Sequence, residues 1–184
     1  MATTFVEIAN RAITFLGATP ITSLDDDTKE GRACKRLFEQ TRDQLLRDHP
    51  WNFAVKRVAL AANTTAPIFE YTNAFDFPNN TLRIIEVNTT EEWAVEGQQI
   101  VSDAAAPLEI VYIERVTDPN LFDTKFIEAY SLRLAADIAY DITASQTVAA
   151  TAEQKFASML KEARLVDAQE SLSADEQSWL DVRV

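Results

Sequence analysis

The spacing of apolar residues changes twice along this chain, and those two changes restrict the possible folds more than anything else in it. Up to His49 the apolar positions recur every three or four residues. From Val55 to about Val116 they alternate, and from Asp123 onward the helical spacing returns. A chain with this order must build helices, then strands, then helices. The first change falls at His49-Pro50-Trp51, which holds the only histidine. Pro50 disfavours helical geometry at His49, so a helix is expected to end there and a strand to begin soon after.

Thr4-Phe5-Val6-Glu7 fits a capping box, followed by Phe5, Ile8, Ala12 and Leu16 at helical spacing and by Gly17 as a stop. After the linker ATPITSLDDD, Asp27-Thr28-Lys29-Glu30 repeats the capping logic. Ala33, Cys34, Leu37, Phe38, Thr41 and Leu45 then make one apolar stripe, and Arg32, Lys35, Arg36, Glu39, Arg42, Asp43 and Arg47 make the opposite face. Short Val- and Ile-rich stretches at 55–62, 81–88, 91–97, 98–102 and 108–116 predict a small, mostly antiparallel sheet. Glu96-Gly97-Gln98 reads as a hairpin turn and Phe77-Pro78-Asn79-Asn80 as a break. Phe126, Ile127, Tyr130, Leu134, Ile138 and Ile142 predict a third helix. Phe156, Met159, Leu160, Ala163 and Val166 predict a fourth over about 148–170.

The expected fold class is α+β. N- and C-terminal helix pairs form a four-helix bundle-like domain (1–54 and 117–170), a β domain (55–116) is inserted between them, and a tail (171–184) follows. Trp179 and Leu180, in an acidic tail without period, suit either a docking segment or a flap returning to the core.

The charge is lopsided. The net value is -12, yet residues 1–60 hold 8 acids against 9 bases, and residues 61–184 hold 21 against 8. Residues 61–114 carry nine acids and Arg83 as their one base, so a sheet this acidic needs water or a partner on one face. Such a balance opposes a role in gripping nucleic acid. The exception is the basic face of helix 28–49, with Arg32, Lys35, Arg36 and Arg42. It is either a solvated helix face, an interface to an acidic surface, or the docking face of a DNA-packaging or regulatory module.

Chemistry finds few handles. One Cys and one His cannot make a nitrogen/sulfur zinc site, and Cys34 cannot form an internal disulfide. Gly17, Gly31 and Gly97 are too scattered for a phosphate loop. Asp25-Asp26-Asp27 lacks the alternation of a calcium loop and is read as a solvated loop ending in a helix cap. His49 beside Asp48 could serve as a base, but a His at a helix C-terminus also suits the helix dipole. Trp51 and Phe53, two positions apart, suit core packing at the start of a strand. Pro50, Trp51 and Phe53 are therefore taken as a structural hinge and core. The expectation is a non-enzyme without cofactor or metal. No apolar run nears the roughly 20 residues that span a bilayer, so a soluble, unprocessed chain with no membrane partner is expected.

Taken together, "ANRAITFLGATPITSLDDD", "CKRLFEQTRDQLLRDHPWNFAVKRVAL", "FDFPNNTLRIIEV", "VEGQQIVSD" and "LEIVYIERVTDPNLFDTKFIEAYSLRLAADIAYDIT" resemble the tail tubular protein A-like head-to-tail adaptors of tailed bacteriophages. These are the gatekeeper or connector proteins of short-tailed phages. The likeness covers roughly residues 5–170 and is most specific at Arg42-Asp43, Leu46 and His49-Pro50-Trp51-Asn52-Phe53-Ala54. It implies a virion protein made in the host cytoplasm, assembled as a homo-oligomeric ring of about a dozen copies by a head-to-tail interface. It implies as partners a portal protein on one side, a tail nozzle or tail tube protein on the other, and passing double-stranded DNA that is not specifically bound. Glu91, Glu92 and Glu96 are then candidates to face the channel during DNA ejection. After about residue 170 the chain matches nothing in that family's pattern.

Overall fold

A computed structural model of the protein describes residues 3–171. Among them are four α-helices and two small antiparallel sheets, a mixed α+β composition. Helix α1 spans Phe5–Phe15, α2 Lys29–Asp48, α3 Thr124–Thr143 and α4 Gln146–Ser171. The strands are β1 Val55–Leu60, β2 Asn73–Asp76, β3 Thr81–Val87, β4 Trp93–Glu96, β5 Gln99–Ser102 and β6 Leu108–Glu114. The chain divides into a helical unit (the chain up to Leu45, Trp51–Phe53, and the chain from Val116 on) and a β unit (Leu46–Pro50 and Ala54–Arg115).

In the helical unit the Thr4 capping box forms in full, with Thr4 and Glu7 each accepting the other's backbone N–H. The linker after α1 is pinned to that helix. Asn10 accepts the Ile21 N–H at 2.8 Å and donates to the Ile21 carbonyl at 2.9 Å. At the start of α2 the cap differs from expectation: Thr28 accepts the Gly31 N–H at 3.0 Å, while Asp27 turns outward to Arg32. The first turn of α2 lies so close to the linker that a Cβ on Gly31 would sit 2.3 Å from the Asp26 carbonyl oxygen. Asp123 caps α3, and its C-terminus closes on Ala144 in the left-handed region. The core joins α1, α2 and α3 through aromatic rings. Phe5 meets Phe38 at 5.4 Å, Phe38 meets Tyr130 at 4.9 Å, and the Tyr130 hydroxyl donates to the Phe38 carbonyl at 2.6 Å.

The β unit holds two sheets where the sequence predicted one. Sheet order is β1-β6-β3 in the first and β2-β5-β4 in the second. The strand that the sequence concealed is β2, whose four residues NAFD are too short and too polar at both ends to show alternation. Without β2, β5 has one partner and the strands read as a single meander. With it, β5 becomes the centre of a second sheet whose Phe75 and Ile100 pack against Leu60, Val87, Leu108, Ile110 and Tyr112 of the first. Trp93–Glu96 is also shorter than the predicted 91–97, leaving Glu91 and Glu92 outside the strand. The turn after Glu96 is as expected: Glu96 pairs with Gln99, and Gly97 takes φ +61°.

Candidate functional site

Helix α2 ends at Asp48 beside half-buried His49 and Pro50, and Asn52–Ala54 form a 3-10 turn before β1 starts at Val55. Trp51 and Phe53 therefore precede the strand rather than opening it. The 3-10 turn directs both rings into the helical unit, where Trp51 and Phe53 reach Phe126 at 5.2 and 5.1 Å. Trp51 is fully buried, and its indole N–H donates to the Leu45 carbonyl in the last turn of α2 at 2.9 Å. A residue that the sequence did not point to completes this corner: Asp167, buried on α4, binds Asn52.

The basic face of α2 is largely occupied by the protein's own acids. Arg32 pairs with Asp27, Lys35 with Asp25 at 2.7 Å, and Arg36 with Asp141 of α3. All six side chains are half exposed or more, so each pair contributes little to stability, but each cation already has a counter-charge. Arg42 does not belong to that face at all. Four residues after Phe38 and three before Leu45, it lies at the edge of the buried stripe, only 5% exposed, with its guanidinium turned back to Asp43. In the adjoining linker, Asp26 accepts the N–H groups of Thr22 and Ser23 at 2.7 and 3.2 Å, and these bonds hold its carboxyl below the ordinary range. The three aspartates are thus taken up by loop and ion-pair contacts. Among the described residues no group of three or more His, Cys, Asp or Glu could hold a metal ion.

Cys34, on the apolar stripe, is fully buried. Burial first, and then Glu30, push its thiol up to about 11, far from the range of a reactive thiolate.

The acidic candidates lie in the β unit, and all three are exposed: Glu91 and Glu92 just before β4, and Glu96 at its end. Between them Trp93 and Val95 point to one face of this edge strand and remain 42% and 50% exposed. The opposite face of the same sheet carries Ala74 and Val101, which border a groove of ≈ 730 Å³ closed on its other side by residues 62–71. Burial first, and after it Glu70, Glu92, Glu96 and Asp103, raise the Tyr71 hydroxyl, and Glu70 and Glu96 line the groove beside Tyr71. Ile68 and Phe69 in that segment are among the most exposed large apolar side chains, and the sequence reading passed over them. Their one signal was a pair of bulky apolar residues behind Pro67 in a stretch without any period. Trp179 and Leu180 lie outside the described residues.

No protein-family model matches the chain, and no curated protein matches it. No helix among the described residues is long and apolar enough to cross a membrane.

Proposed function

We propose that the protein is a structural component of a virion: a head-to-tail adaptor that forms a ring between portal and tail and lines part of the DNA channel. Its N- and C-terminal helix pairs make one bundle-like domain, and the β residues are an insertion that reaches a neighbouring component. The observation that carries this reading is the surface of the β unit, where exposed Glu91, Glu92 and Glu96 flank the exposed apolar pair Trp93 and Val95. Apolar side chains left in water on an edge strand fit a surface that is covered on assembly. Acids beside them fit a wall that repels phosphates and so lets DNA slide past. The sequence resemblance at the His49–Ala54 corner points the same way, and the buried ring packing of Trp51 supports a role for that corner in fixing the fold rather than in chemistry.

The competing reading, a nucleic-acid module that binds through the basic face of helix 28–49, has weaker support. Arg32, Lys35 and Arg36 are each paired with a carboxylate, and Arg42 is buried. Quantitative mass spectrometry of purified particles tests the adaptor reading. About a dozen copies per particle, the count for a closed ring of this kind, would support it. Absence from particles would overturn it.

A further inference from the structure

We propose that the loop bearing Ile68 and Phe69 is a docking plug for a second, different protein that offers an apolar socket with a cationic rim. The inference rests on the adaptor reading and names the chemistry of one neighbour.

The exposure is extreme. Ile68 is 98% and Phe69 77% exposed, although both border a groove whose other side is formed by the buried residues Ala74 and Val101. The loop is built to hold them out. Glu70 adopts φ +74°, a region costly for any residue with a side chain, and the Tyr71 N–H donates to the Phe69 carbonyl at 2.9 Å to close a three-residue turn. The base of the loop is fastened at both ends. The Asn63 N–H donates to the Ala74 carbonyl at 2.7 Å, and the Thr72 N–H and hydroxyl donate to Asp103 at 2.8 and 3.0 Å. Strain held by a fastened base, with two large apolar side chains at the tip, is the arrangement of a presented contact.

Charge selects the occupant. Glu70 lies in the loop itself, Asp103 accepts from Thr72 at its base, and Glu96 lines the same groove. A socket rimmed by Lys or Arg gains from that field, and an acidic or anionic surface is repelled by it. Another copy of this chain is a poor source of such a rim, because its densest run of bases, Arg32, Lys35 and Arg36, is already bonded to its own aspartates.

The test uses particles assembled with this chain carrying the photocrosslinker p-benzoylphenylalanine at position 68 or 69. After irradiation the expected product joins the loop to one peptide of a different chain, with apolar residues flanked by Lys or Arg. A crosslink to another copy of this chain, or none while the chain is present in the particles, overturns the plug. Absence of the chain from particles overturns the adaptor reading and the plug with it. As a second measurement, the double variant Ile68→Ser/Phe69→Ser should melt as the wild type does. It should lower the yield of tailed particles by roughly tenfold or more, as loss of an interface hot spot does. A normal yield from this folded variant also overturns the proposal.

Discussion

Asp167, near the end of α4, accepts the backbone N–H of Asn52 at 3.0 Å, and its own carbonyl accepts the Asn52 side-chain amide at 2.7 Å. The two residues are 115 positions apart, yet this contact satisfies the first donor of the turn that follows Trp51. Asp167→Ala leaves that N–H without its carboxylate, at a cost of about 1–3 kcal/mol. Urea unfolding of the variant measures it. A midpoint equal to that of the wild type would show that water replaces the carboxylate without loss.

Trp51→Ala removes a fully buried indole together with its ring contacts to Phe53 and Phe126. The expected loss is about 3–5 kcal/mol, the range for large-to-small changes in a core. Thermal unfolding checks it, and full retention of stability would refute the packing role.

Gly31→Ala should destabilise the protein although it sits in a helix, where Ala normally gains about 1 kcal/mol over Gly. The new methyl would meet the Asp26 carbonyl at 2.3 Å, and a backbone oxygen cannot swing aside like a side-chain tip. The net change is a loss of about 1–3 kcal/mol, as for other overpacked sites. An unchanged or raised melting temperature would mean that the linker gives way freely.

The stability of the linker depends on pH through Asp26. Its carboxyl titrates below the ordinary value of 3.8, chiefly because the Thr22 and Ser23 N–H groups bond the ionised form. A folded-state value below the unfolded one means that the contribution is complete at neutral pH. It is lost as the pH falls from 3.8 through the lowered folded value. Asp26→Asn should be less stable than the wild type at pH 7 and should show a shallower fall in stability over that acid window. Parallel curves for the two proteins would remove Asp26 from the account.

On the adaptor reading proposed above, Glu91, Glu92 and Glu96 replaced together by Gln should slow genome ejection while leaving the fold intact, since all three are exposed. A wall without those charges repels phosphates less. Single-particle ejection kinetics indistinguishable from wild type would exclude these acids from the channel.

Much of the helical unit was legible because its signals are local. A capping box, a 3.6-residue stripe and a proline stop each act within a few residues, and the Thr4–Glu7 cap, the stripe through Cys34 and Phe38, and the end of α2 at Asp48 follow from them. The β unit was legible as strands but not as sheets. Pairing depends on partners far apart in sequence, such as Val55 with Ile113, and β6 pairs with β1 and β3 rather than with β5, its neighbour along the chain. Arg42 and Asp167 were misjudged or missed for a related reason. Residue type marks them as surface groups, and only packing reveals that they are buried at 5% and 8% exposure. Ile68 and Phe69 present the reverse case, apolar by type and exposed in the structure.

The ion pairs along α2 have a consequence for the behaviour of many copies in one solution. Positive charges that could draw one molecule to the acidic surface of the next are bound to Asp25, Asp27 and Asp141 of their own chain. Each molecule therefore meets its neighbours as a net anion of -12. At low ionic strength, where the Debye length reaches about 30 Å, such molecules hold one another at a distance. Added salt shortens that reach, so crowding and association of this protein should rise with ionic strength, the reverse of an assembly held together by opposite charges.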